Sequence, residues 1–211
     1  MILLEPAVSL TDLGLAVENA AFAVWLARQP TSHRTPQRWW ILFFASLALA
    51  ALLGFVTHGF FVDKSLLLYR QLWAATLLSI GLMALAAIAV AASLMFNTRT
   101  ATRITWGAAG LLVAYGVAVI GGYRYFGLAI AAYTPAMIFL LSAFVRRLQK
   151  ESARYWLLGI AGLGLTAIAT GLQQLGVGLH PEYFNHNALY HLIQALALWL
   201  LYSTARSTLA S

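Results

Sequence analysis

The chain has no cysteine among its 211 residues. That excludes disulfides, thiolate metal sites and cysteine nucleophiles. Charge is the second scarcity. Lys, Arg, Asp and Glu make up 9% of the residues, where a soluble domain carries about 25%. So few charges cannot cover a water-facing surface, which excludes a soluble globular domain. Acidic residues are the scarcer sign, 6 against 13 Lys and Arg, for a formal charge of +7. The basic residues lie between apolar blocks and form no patch. They read as topology signals at membrane edges, and no nucleic-acid partner is expected. Residues 1–15 lack a basic leading region and carry Glu5 and Asp12, so they do not read as a cleaved signal peptide.

Apolar residues are what the chain has in excess: 62% are hydrophobic, and the mean hydropathy is +0.80. A membrane-spanning helix needs about 20 mostly apolar residues. Seven blocks qualify, at 7–27, 39–61, 71–95, 104–122, 126–145, 155–178 and 187–205. They are continuous and rich in Ala and Leu, whereas barrel strands would be short and alternating. The expected fold class is all-α, one domain over residues 1–211 forming an integral membrane bundle of seven transmembrane helices.

The charges predict a direction. Arg28, Arg34, Arg38, Arg99, Arg103, Arg146, Arg147, Lys150, Arg154 and Arg206 fall in alternate connections and after block seven. Only Lys64, Arg70 and Arg124 fall on the other side. Ten basic residues against three put the N-terminus outside and the C-terminus in the cytoplasm, with Lys150 inside and Glu182 outside. The compact chain suits a bacterial cytoplasmic membrane. Small residues predict close helix contacts: Gly107, Gly110 and Ala114 on helix four, and Gly162, Thr166 and Thr170 on helix six. Trp39 and Trp40 suit an inner interfacial belt.

Ionisable groups inside a bilayer are costly and mark function by default. Here they are Glu18 in helix one, His58 near the outer end of helix two, and His186 and His191 at the outer start of helix seven. Asn187, His191 and Gln194, spaced i, i+4, i+7, form one polar stripe expected to face the bundle interior. Thr166, Thr170, Gln173 and Gln174 lie on a related face of helix six. His186 stands five residues before His191, about 140° away on a continuous helix, so it joins the stripe only if helix seven begins late. The alternation puts all three histidines at similar depth. Three imidazoles there would make a zinc site with an open position for water, whose pKa zinc lowers toward about 7. Glu18 is a candidate general base, fourth ligand or structural partner of a histidine.

Seven spans, a histidine ending helix two and histidines opening helix seven resemble the CREST-type superfamily, which joins alkaline ceramidases, progestin and adiponectin receptors and Per-like proteins. The matching segments are Gly54-Phe55-Val56-Thr57-His58 and Asn187-Ala188-Leu189-Tyr190-His191. The resemblance implies a seven-helix protein and zinc-dependent hydrolysis of a lipid amide. Three positions depart from the family pattern. Gly54 stands where the family has serine, Asn187 stands where it has the first helix-seven histidine, and helix three has no aspartate.

Two functions are therefore expected. In the first, His58, His186 and His191 hold zinc, water bound there attacks a lipid amide or ester, and Glu18 or Asn187 assists. In the second, the protein is not an enzyme; a polar His/Glu/Asn network serves ligand binding, sensing or transport. Both make membrane lipid the immediate partner. A retinal-type Schiff base is excluded, because neither Lys64 nor Lys150 lies in helix seven.

Overall fold

The computed structural model of the chain describes residues 3–180 and 184–210. Glu182 lies outside them. Among the described residues there are seven helices long and apolar enough to cross a membrane: α1 (Pro6–Arg28), α2 (Arg34–Phe60), α3 (Leu67–Met95), α4 (Thr98–Ile120), α5 (Phe126–Glu151), α6 (Tyr155–Gln174) and α7 (His186–Ala210).

Several helix ends follow from local chemistry. Pro6 opens α1, where a missing N–H costs nothing. The Asn97 side chain caps α4 by accepting from the Thr100 amide. α2, α4 and α5 run past their apolar blocks into charged turns, because basic residues can continue a helix once it has left the hydrocarbon. α6 ends four residues before its block does. Gly176 takes φ 69°, and the Val177 amide reaches back to Leu172 while Gly176 bonds to Gln173. That is a left-handed glycine stop.

The helices alternate in direction, so the chain has two ends. One carries the start of α1, the end of α2 and the start of α7; the Leu4 and Glu5 amides donate there to the Gly59 and His58 carbonyls. The other carries most of the arginines, and Gln29 donates there to the Arg206 carbonyl. They are termed here the histidine end and the arginine end. Helix contacts run α1–α2–α3–α5–α6–α7 and back to α1, closing a ring of six. α4 lies outside the ring, against α3.

The arginine half of the ring is filled by a dry aromatic core. Phe22 stacks on Tyr202 at 4.3 Å, and Trp40, Phe43, Phe44, Phe144 and Trp156 are all buried. Trp40 was expected in the interfacial belt, but it stacks between Phe44 and Phe144 because its helix face turns inward. The glycine faces divide similarly. Gly162 meets α7 so closely that a Cβ would sit 2.7 Å from the Ala197 carbonyl oxygen. Gly107 and Gly110 touch nothing in the chain, because α4 faces α3 through Ala108, Tyr115 and Val119 instead. Gly162→Ala should therefore force α6 and α7 apart and destabilise the bundle by about 1–3 kcal/mol, while Gly107→Ala should leave it unchanged. Thermal unfolding of both variants in the same detergent checks this.

Candidate functional site

The ring encloses a cavity of about 230 Å³ in its histidine half. Residues from all six ring helices line it, and none from α4. Its wall is mainly apolar toward the bundle centre, with Phe43, Leu47, Met83, Met137 and Leu198. Toward the histidine end it is polar, with Asp12, Asn19, His58, Asn187, His191 and Gln194.

The two stripes expected on helices six and seven meet here. Gln194 Nε2 donates to Thr166 Oγ1 at 3.2 Å, and Gln173 Nε2 donates to Asn187 Oδ1 at 3.2 Å. Thr170 donates to the Thr166 carbonyl, so it accepts from the Tyr133 hydroxyl of α5 at 2.9 Å. Polar groups in a bilayer need such partners, and these bonds lock α5, α6 and α7 in register.

The carboxylates that meet the histidines are Glu5 and Asp12. Glu5 Oε2 lies 2.6 Å from His58 Nδ1. Asp12 Oδ1 faces His191 Nε2 at 3.3 Å, and Thr11 Oγ1 lies 2.9 Å from His191 Nδ1. The Asp12 and His191 side chains are 7% and 12% exposed, so this pair is nearly dry. Thr11 also lies 2.9 Å from the Ala7 and Val8 carbonyls. When its hydroxyl donates to them, it accepts from His191 Nδ1–H. Nε2 and Asp12 are then both acceptors and must share one added proton. When Thr11 donates to Nδ1 instead, Nε2–H donates to Asp12.

Gly54 makes this arrangement possible. A Cβ there would sit 2.8 Å from Asp12 Oδ2 and 3.0 Å from Oδ1. Gly54 carries no side chain, and the α1 carboxylate occupies that space.

The other residues singled out from the sequence are placed as follows. Glu18 is half-buried outside the cavity lining, and its Oε2 is buried without a hydrogen-bond partner. The contact expected between Glu18 and the histidines is made by Asp12 instead, one and a half helical turns nearer the histidine end. His186 is the first residue of α7 and is not in the lining. Asn185 Oδ1 accepts from the Asn187 and Ala188 amides, so α7 is regular from its first turn and keeps His186 about 140° from His191. Among the described residues no three His, Asp or Glu side chains stand together as a metal-binding group. Both cavity histidines already face a carboxylate. As placed, the residues do not fit a three-histidine zinc centre.

Two buried acceptors remain unused at the polar end. Asn19 Nδ2 donates to the Leu15 carbonyl, leaving Oδ1 with no partner among the described residues; Gln194 Oε1 likewise has none there. Both side chains line the cavity. An unpaired buried acceptor costs about 1–3 kcal/mol.

A closed ring of membrane-length helices around a part-polar cavity is the architecture of a multi-pass membrane protein. The chain belongs to the family of unknown function DUF6962, whose model matches residues 7–210. No curated protein and no solved structure matches it.

Proposed function

We propose that the protein is a membrane-embedded binder of a small amphipathic molecule whose polar end carries N–H or O–H donors. The observation that carries this is the pair of unpartnered acceptors, Asn19 Oδ1 and Gln194 Oε1, in one cavity with the Asp12 carboxylate. The apolar depth of the cavity suits a hydrocarbon body. Ligand pockets of drug size run about 300–1,000 Å³, and 230 Å³ suits a smaller molecule or one end of a longer one. Octylamine and 1,2-octanediol should raise the melting temperature of the detergent-purified protein, and octanoate should not. Asn19→Leu combined with Gln194→Leu should abolish those shifts. Equal stabilisation by octanoate that disappears in the same double variant would overturn the reading.

Membership of a cytoplasmic membrane, with the histidine end outside, is part of the proposal. It rests on the ten-to-three distribution of basic residues between the two ends. The native chain has no cysteine, so single substitutions report cleanly. An impermeant maleimide should label Lys64→Cys in intact cells and label Lys150→Cys only after the membrane is opened. The reverse pattern would invert the orientation.

A second reading, a metal-dependent hydrolase of a lipid amide or ester, is favoured by one observation: His58 of α2 and His191 of α7 line the same cavity, as the CREST-type resemblance implies. It requires a rearrangement that frees both imidazoles from Glu5 and Asp12. Elemental analysis of protein never exposed to chelator separates the readings. About one zinc per chain supports the hydrolase, and none supports the binder.

A further inference from the structure

The three basic residues that break the arginine-end pattern come from two separate stretches of the chain, yet they line one cleft. Lys64 lies in the α2–α3 connection, Arg70 in the first turn of α3, and Arg124 just before α5. Together with Tyr69, Trp73 and Tyr125 they enclose an open volume of about 610 Å³ at the histidine end. Among the described residues no acidic side chain lines it. The nearest in sequence, Asp63, is occupied: the Ser65 amide and hydroxyl both donate to its Oδ1, at 2.8 and 2.7 Å.

Local structure fixes the cations. Arg70 Nη2 donates to the Ser65 carbonyl at 2.6 Å, and Arg124 Nε donates to the Val119 carbonyl at 3.1 Å. Each guanidinium has five N–H donors, so each retains several for a ligand. Gly122 takes φ 111°, which turns the chain sharply between α4 and α5 and brings Arg124 to the cleft. Trp73 Nε1 donates to the Arg124 carbonyl at 2.6 Å and ties that turn to α3. α3 and α5 both begin at the cleft, and neither has a side-chain cap. Their amide ends add positive potential to the three side chains.

From this arrangement we infer that the cleft is a binding site for a phosphate-bearing group. Three cations in one cleft, two of them held by backbone carbonyls, match a phosphoryl group, and Arg forks pair with its oxygens two at a time. The site is separate from the central cavity and does not rest on the function proposed for it, although Trp73 and Phe126 line both. A phosphate placed here could belong to a lipid headgroup or to a free solute. The chemistry is the same, and the experiment separates the sources.

The protein is purified in a neutral detergent and titrated with inorganic phosphate, and separately with dihexanoyl phosphatidylglycerol, with binding read by calorimetry. Saturable binding of either ligand near one per chain is expected. Binding of both assigns headgroup chemistry alone. Binding of the lipid only assigns a lipid site with chain contacts, and binding of phosphate only assigns a solute site. Lys64→Gln makes no change to any hydrogen bond described above and should weaken binding about tenfold. Arg70→Gln should do at least as much. Lys150→Gln at the arginine end should have no effect. Because Arg70→Gln removes a bond to Ser65 and risks unfolding the turn, Lys64→Gln and the reversal Lys64→Glu carry the decision. If neither ligand binds, or if Lys64→Glu binds as well as the native chain, the inference is overturned.

Discussion

Gly54→Val is expected to abolish octylamine binding and to lower stability by about 3–5 kcal/mol. The position has no spare room. A Cβ alone would lie 2.8–3.0 Å from both oxygens of Asp12. Asp12 cannot yield cheaply, because its carboxylate is buried and faces His191. Driving one partner from a buried carboxylate–imidazole pair leaves the other unpartnered at a cost of about 3–5 kcal/mol, more than the about 1–3 kcal/mol of overpacking alone. Gly54→Ser should fall between the native chain and Gly54→Val. Its Cβ is as crowded, but its hydroxyl can donate to the carboxylate it displaces. Titration with octylamine and unfolding in mixed micelles give the two readouts. A Gly54→Val protein that binds octylamine with native stability would mean that α1 and α2 do not approach through this glycine.

The same glycine shows where sequence reading stops. The seven helices were legible because length and apolar content alone determine what can cross a bilayer. The basic residues cluster in alternate connections, and the alternating helices gather most of them at one end. The stripes on α6 and α7 could be read as well, since i, i+4, i+7 spacing needs no partner to be recognised, and they do meet at Thr166–Gln194 and Gln173–Asn187. What could not be read was which carboxylate met which histidine. Glu18 drew notice by its depth in α1, yet depth does not say which way a helix is turned. Asp12 and Asn19 are spaced i, i+7 on one face, and that spacing was the available signal for α1's inward side. Glu5 gave no signal, because its contact with His58 depends on how the start of α1 lies against the end of α2. Nor could the sequence reveal the cleft. Lys64, Arg70 and Arg124 stand in two separate stretches of the chain, and only the ring order that brings α3 and α5 side by side joins them.

The Asp12–His191 pair leads to the last expectation, which concerns coupling. His191→Leu should destabilise the protein by about 3–5 kcal/mol, since it leaves a buried carboxylate with no imidazole opposite. Asp12→Leu should cost less, about 1–3 kcal/mol, since a neutral imidazole keeps Thr11 on Nδ1 and leaves only one nitrogen unpaired. The double variant Asp12→Leu/His191→Leu should be more stable than His191→Leu alone. Replacing both members of a buried pair by apolar side chains removes the stranded polar group, and such replacements are often neutral or better. Octylamine binding should nevertheless be lost in all three variants, because the carboxylate or its geometry is lost in each. This separates what the pair does for stability from what it does for the ligand: stability returns in the double variant and binding does not. Unfolding free energies that simply add would show that the two side chains do not interact across the 3.3 Å gap. Recovery of binding along with stability would remove Asp12 from the ligand site and leave it a purely structural partner of His191.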